Sequence, residues 1–259
     1  MKKTALITGA SSGIGKEMAK LHARTKGDLI LIARSTNKLE SLKKELEGGF
    51  GIKVTIISKD LSVTGAAKEI YDETKNAGIE VDYLINNAGF GGLGKFNERD
   101  WEEDKAMIQL NILALTELTR YYVNDMVIRN TGKILNVSST AALIPGPLQA
   151  VYYATKAYVT SFSNALNEEL SDTGITVSSL MPGATETGFA TTSGMDKTPL
   201  FKKAASSYYV AKRGYEGMLK GKLNIFAGVP LPFLLIIPFI SLMPKRLMLK
   251  TVKKLQEVQ

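Results

Sequence analysis

The chain contains no cysteine and one histidine, His22, and these two scarcities remove much enzyme chemistry before any motif is read. Without thiols there is no disulfide, no thiolate nucleophile and no thiolate metal site, and a lone imidazole does not make a histidine-ligated centre. No metal is therefore expected. Most hydrolytic nucleophile–base arrangements also need a His or Cys, so acid–base chemistry must fall to Tyr, Lys or a carboxylate. His22 itself, inside a helical pattern, is expected on a helix surface.

Long apolar runs are lacking too. The opening MKKTALITG resembles the start of a signal peptide, but its apolar run breaks at Thr8 and Gly9, and it reads as a strand. The stretch LPFLLIIPFISLMP (231–244) is interrupted by proline and is shorter than the ~20 residues a spanning helix needs. Charge is not segregated either: the net +8 arises from 33 basic residues scattered among 25 acidic ones until the C-terminal tail. That pattern offers no basic face for nucleic acid, and anionic small molecules or a membrane surface fit it as well.

What is present is enough apolar residue, 44% of the chain, to bury the core of one large α/β domain, with no low-complexity tract to mark a boundary. Strand-like runs alternate with helical patterns. The order is strand Thr4–Thr8, helix Lys16–Lys26, strand Leu29–Ala33, helix Lys38–Glu47, strand Val54–Ser58, helix Val63–Ala77 and strand Tyr83–Asn86. One long helical region from Asp100 to Ile128 follows, then strand Lys133–Val137, helix Val151–Leu170, strand Thr176–Met181 and strand Asn224–Ala227. Glycines 27, 48 and 78 sit where left-handed residues would end the first three helices. Seven parallel strands with covering helices predict a doubly wound α/β sheet, with its ligand at the strands' carboxyl ends.

The first strand runs into TGASSGIG, with Gly9, Gly13 and Gly15 opening onto a helix. Small residues there let the backbone approach a pyrophosphate, whose charge the helix N-terminus attracts; an ordinary tight turn is the plainer alternative. After the second strand comes Arg34, with no acid between Ile30 and Asn37. A basic residue at that place accepts an adenosine 2′-phosphate, where an acid would bind the free ribose. NADP(H) is thus predicted over NAD(H), with Lys38 able to share the role; a solvated surface cation is the other reading of Arg34.

The spacing G-x-x-x-G-x-G resembles the short-chain dehydrogenase/reductase family, and further family marks follow in order: NNAG at Asn86–Gly89, Asn111, Ser139, YxxxK at Tyr152–Lys156 and PG…T at Pro182–Thr187. The resemblance covers roughly residues 3 to 190. It implies a Rossmann-type fold and a metal-free oxidoreductase that interconverts a carbonyl and an alcohol. It also implies cofactor contacts from Gly9, Ser11, Ser12, Gly13, Ile14 and Gly15, with Asp60 and Leu61 at the adenine. Asn87, Ala88 and Gly89 follow on the adenosine side, and Pro182, Gly183, Thr185 and Thr187 at the nicotinamide carboxamide. In one respect the chain departs from the pattern, because NADP users in the family often carry a basic residue where Ser12 stands. Asp60 or Ser62 could instead cap a helix beginning at Val63.

VYYATK (151–156) leaves two tyrosines within helical reach of Lys156, and spacing does not choose between them. The resemblance chooses Tyr152 as general acid/base, with Lys156 favouring its phenolate and holding the nicotinamide ribose, Ser139 fixing the substrate oxygen and Asn111 holding a proton-relay water. Ser138 and Ser139 face opposite ways on their strand, so only one reaches the cleft. Asn111 has a structural alternative, a helix-kinking amide, and Asn86 one as a tie between strands.

Residues 1–228 are expected to form the cofactor-binding and catalytic domain, with a substrate loop at about 189–205 and an apolar, then basic, extension at 229–259. That extension is read as a lid or oligomer contact in preference to a peripheral membrane anchor. Family resemblance adds a homodimer or homotetramer, and the location is expected to be cytoplasmic, with membrane association through 229–259 as the variant. An apolar lid suits a bulky lipophilic carbonyl substrate. The rival reading is an NADP(H)-binding regulator or scaffold without turnover, against which the presence of Ser139, Tyr152 and Lys156 together argues.

Overall fold

The computed structural model describes residues 2–196, 198, 201 and 204–257. Six of its strands are β1 (Thr4–Thr8), β2 (Asp28–Ala33), β3 (Val54–Ser58), β4 (Tyr83–Asn86), β5 (Gly132–Val137) and β6 (Ile175–Pro182); β7 (Thr185–Glu186) and β8 (Ala205–Ser206) form a small separate pair, and β9 is Asn224–Ala227. The main sheet has seven strands in the order β3-β2-β1-β4-β5-β6-β9, every neighbour parallel. Helices cover both faces, so β2 and β6 read as unbroken apolar or small-residue runs, buried almost end to end.

The helices are α1 (Gly13–Arg24), α2 (Thr36–Phe50), α3 (Ala66–Asn76), α4 (Trp101–Ile108), α5 (Leu115–Arg129), α6 (Ala150–Glu169), α7 (Phe189–Ser193), α8 (Ser207–Leu219), α9 (Leu231–Ile236) and α10 (Lys245–Gln256). One core layer joins α1, α2 and α8 to the sheet through Met18, Leu39, Leu42, Val210 and Met218. The opposite layer uses α3 and α5, through Ile70, Leu118, Tyr122 and Met126, with Leu166 of α6 at its margin. Strand order reverses between β1 and β4, and the crevice opened there places the site.

Several expectations are corrected. The helical region from Asp100 is not one helix: a π-helical segment, Gln109–Ala114, separates α4 from α5. α1 ends on Lys26, left-handed at φ 63°, and α2 continues through Gly48 to Gly51 at φ 65°; only Gly78, at φ 64°, turns as expected. Gly27 serves close packing instead, since a Cβ there would run into the His22 ring. His22 is fully buried, its Nε2 2.9 Å from the Lys3 carbonyl and its Nδ1 2.8 Å from the Tyr215 hydroxyl. A carbonyl only accepts, so Nε2 carries the proton and Nδ1 accepts from Tyr215; burial holds the imidazole neutral by lowering its pKa.

α3 starts at Ala66 behind Gly65, so neither Asp60 nor Ser62 caps it. Within the apolar 231–244 run, α9 buries none of its residues.

Candidate active site

A cleft of about 570 Å³ runs along the carboxyl ends of β1 to β6. Of the residues that the sequence assigns to catalysis or cofactor contact, all but Gly15 and Asn111 line it. At one end, the N-terminus of α1 opens on the cleft, and the N–H groups of its first turn have no helical acceptor. The glycines are sterically required. A Cβ on Gly15 would lie 2.5 Å from the Gly9 carbonyl oxygen, and one on Gly9, at φ 66°, would lie 2.8 Å from Asn87 Nδ2. Asn87 closes this turn against the β4 loop by donating to the Thr8 carbonyl at 2.9 Å, while Thr8 Oγ1 accepts from the Asn87 and Ala88 amides.

Past β2, Arg34 projects into solvent at the cleft edge with Lys38 and Lys59 nearby on the lining. Lys59 is paired with Glu69 at 2.6 Å, and Arg34 stands 3.9 Å from Asp60. Burial pushes the Asp60 carboxyl up, but two hydrogen bonds from Ser62 and the Arg34 charge outweigh it and hold the group below its ordinary range. Leu61 is buried and packs into the core below it. Asn86 does tie strands, donating to Asn136 Oδ1 of β5 at 2.9 Å and to Thr119 Oγ1 of α5 at 3.0 Å.

At the other end, α6 brings Tyr152 and Lys156 one turn apart, both buried. The Lys156 ammonium stands 5.8 Å from the Tyr152 ring centroid and donates to the Val137 carbonyl at 2.8 Å. Burial lowers the Lys156 pKa to about 8. Burial also raises the Tyr152 phenol above its ordinary value, and the facing Ser139 hydroxyl acts in the opposite direction without an ordinary hydrogen bond joining the two. Both serines follow the end of β5 and border the cleft, but they are held differently: Ser138 Oγ donates to the Lys156 carbonyl at 2.8 Å, whereas Ser139 Oγ accepts from the Ala141 amide.

Asn111 lies at the π-segment, where the extra residue per turn swings its carboxamide toward the β4 loop. Its Nδ2 donates to the Phe90 carbonyl at 2.9 Å and to Thr155 Oγ1 at 3.1 Å, and its Oδ1 accepts from the Phe90 amide. Asn111 Oδ1 and the Lys156 ammonium both border Gly89, at 3.0 and 3.4 Å from where a Cβ would stand. Pro182 and Gly183 leave β6 close against β9: a Cβ on Gly183 would collide with the Gly228 carbonyl. Thr185 caps its own turn through the Gly183 carbonyl, and Thr187 accepts from the Phe189 amide.

Over Tyr152 lies an apolar wall that the motifs do not announce. Phe189 of α7 tilts over the Tyr152 ring at 5.3 Å and stacks on Phe201 at 6.5 Å, while Phe90, Leu110 and Met195 complete the lining. Of the expected substrate loop, residues 197, 199, 200, 202 and 203 lie outside those described. Gln149 is buried on the same wall with its amide against the Met195 sulfur, and its Oε1 has no partner among the described residues. Tyr153 also borders the cleft, and its hydroxyl accepts from Gln256 Nε2 at 2.6 Å. Burial pushes the Tyr153 phenol up to about 12 against the pull of that bond.

Residues 3–198 match the family described as short chain dehydrogenase. The chain belongs to that family. Among short chain dehydrogenases it is 34% identical to the mouse very-long-chain 3-oxoacyl-CoA reductase, over 79% of this chain and 65% of that protein. It is 37% identical to the mouse 17-beta-hydroxysteroid dehydrogenase type 3, over 70% of this chain and 60% of that one. The chain thus matches less than two thirds of the length of either relative. Solved structures agree in fold. The short-chain dehydrogenase from Sphingobium yanoikuyae in complex with NADPH is 31% identical with a TM-score of 0.84, covering 95% of this chain and 94% of that one. The bulky-bulky ketone specific alcohol dehydrogenase from Comamonas testosteroni is 26% identical with a TM-score of 0.80, covering 95% and 93%.

Proposed function

We infer that this short chain dehydrogenase is an NADP(H)-dependent oxidoreductase that interconverts a carbonyl and an alcohol on a bulky lipophilic substrate. The observation that carries the reading is the buried Tyr152–Lys156 pair, with Ser139 facing the phenol from the turn after β5. The cradle suits a dinucleotide: three glycines admit a pyrophosphate where a Cβ would not fit, and free N–H groups of α1 meet its charge. Arg34 and Lys38 stand at the adenosine end with no acid on the β2 terminus, which favours a 2′-phosphate. A relative of the same fold at 31% identity is a complex with NADPH.

When bound, the cofactor supplies hydride to the carbonyl carbon. This chain's part is to handle the charge that grows on oxygen. Tyr152 is protonated at neutral pH, as a phenol of pKa about 10 already is, burial raises its pKa further, and it stands ready to deliver a proton to that oxygen. Ser139 holds the oxygen within reach of the phenol. Lys156 is the fixed positive charge that makes phenolate accessible when the alcohol is oxidised. Asn111 anchors the loop carrying Phe90 and borders the Lys156 ammonium, the position from which a relay water would be held.

The substrate class follows from the wall of Phe90, Phe189, Phe201, Met195 and Leu110, which excludes water and accepts a long or polycyclic hydrocarbon. Relatives named for 3-oxoacyl-CoA, steroid and bulky-ketone substrates point the same way. NADPH absorbance followed against 3-oxoacyl thioesters, keto steroids and bulky aryl ketones tests the reading. Turnover of one class with NADPH is the expected result. Tight NADPH binding with no turnover of any class would return the protein to a non-catalytic regulator or scaffold.

A further inference from the structure

We propose that the segment from Leu231 to Gln256 is a docking surface for an anionic lipid bilayer, lying in the interface plane beside the mouth of the cleft. α9 and the 3₁₀ turn after it, Ile237–Leu242, form a short broken helix that buries no residue of α9 and presents Leu231, Leu235, Ile236 and Phe239 to solvent. Leu231, Leu235 and Phe239 recur at four-residue spacing and are each at least 60% exposed. Soluble chains rarely leave such a contiguous patch open unless it binds something.

Charge decides what it binds. From Gly217 to Gln256 the sequence has no acid, while Lys220, Lys222, Lys245, Arg246, Lys250, Lys253 and Lys254 supply seven cations. α10 turns Met248, Val252 and Gln256 onto the body and leaves its five cations exposed. Only Lys253 among these five has an acidic partner among the described residues, Glu257 at 3.9 Å. Apolar side chains flanked by lysine and arginine are the pattern of an interfacial helix on anionic lipid. A two-fold contact with a second copy would set this acid-free segment against itself, like charge on like charge. Among the described residues, no helix is long and apolar enough to cross a membrane.

Gln256, at the end of α10, holds the Tyr153 phenol on the cleft lining, so a docked segment sets the cleft mouth beside the bilayer.

The test is co-sedimentation of the full chain with phosphatidylcholine vesicles, with and without phosphatidylserine. Pelleting with the phosphatidylserine vesicles and release by salt is the expected result. Lys245→Gln, Arg246→Gln and Lys250→Gln together should weaken binding on the order of a hundredfold, about fivefold per cation. Leu235→Asp with Phe239→Asp should abolish pelleting while leaving NADPH binding unchanged, since neither residue touches the cleft. Absence of pelleting with either vesicle overturns the proposal, as does binding that ignores salt and the three charge removals. A dimer in solution that the Asp pair dissociates, without pelleting, assigns the surface to a second copy and also overturns it.

Discussion

Gln256 donates a 2.6 Å hydrogen bond to the hydroxyl of Tyr153, 103 residues away, while the neighbouring Tyr152 has the Lys156 ammonium 5.8 Å from its ring centroid. Two adjacent phenols therefore have different partners, one structural and one electrostatic. The tail is tied to the lining of the substrate end through the first of them.

Gln256→Leu tests that tie. It leaves the hydroxyl of the half-buried Tyr153 without its donor at similar side-chain volume, and should cost about 1 kcal/mol of stability. Because Tyr153 lines the cleft and its hydroxyl is held by Gln256, not by the proton-transfer groups, KM should rise several-fold while kcat changes little. Denaturant midpoints and steady-state kinetics on one preparation check both.

Arg34→Ala should weaken NADPH about ten- to a hundredfold, since a hydrogen bond to a charged group contributes roughly 1.5–3 kcal/mol. NADH has no 2′-phosphate, so its affinity should move far less. Lys38→Ala should act in the same direction with smaller effect. Titration of each variant with both cofactors reads the ratio directly.

Gly15→Ala adds one methyl where a Cβ would stand 2.5 Å from the Gly9 carbonyl oxygen, a backbone atom that cannot swing aside. The turn must open, at about 1–3 kcal/mol, and NADPH binding should fall with it. Gly48→Ala, at a helical site with open space around it, should leave stability equal or slightly higher. Thermal melts of the pair make the comparison.

Burial lowers Lys156 from 10.5 to about 8. Between those values the unfolded chain keeps a proton that the folded chain has released, so Lys156 makes stability rise with pH across that window. Lys156→Met removes the dependence and leaves all other titrations in place. The stability of the Met variant minus that of the wild type should be most favourable to Met below pH 8 and should decline toward pH 10.5. Urea midpoints across that range show the slope, and a difference independent of pH would contradict it.

Much of the fold was legible because parallel strands buried on both faces are written as continuous apolar runs. β1, β3, β4 and β9 begin and end where the sequence placed them. Helix ends were less legible: Gly27 and Gly48 carry no turn, since the local signal for a left-handed cap is only permissive and Lys26 and Gly51 took the role. The π-segment has no periodic signature of its own. It follows from Asn111 finding its partners on the Phe90 loop and on Thr155. Motif residues were legible as far as they touch a cofactor-shaped turn, whereas Phe201, Met195 and Gln149 are ordinary residues that tertiary packing alone brings to the cleft. Nothing near Gln256 in the sequence announces Tyr153, and an uncovered α9 was legible only as the membrane-anchor reading that ranked below a lid or oligomer contact.

The most direct measurement compares Tyr152→Phe with Tyr153→Phe in NADPH-dependent reduction of the best carbonyl substrate found. Loss of the proton donor should lower kcat of the Tyr152 variant by about 10² to 10⁴ with NADPH affinity retained. The Tyr153 variant should keep kcat within about tenfold of wild type and show its effect in KM. Retained kcat in Tyr152→Phe, with the loss falling on Tyr153→Phe instead, would contradict the assignment of the acid.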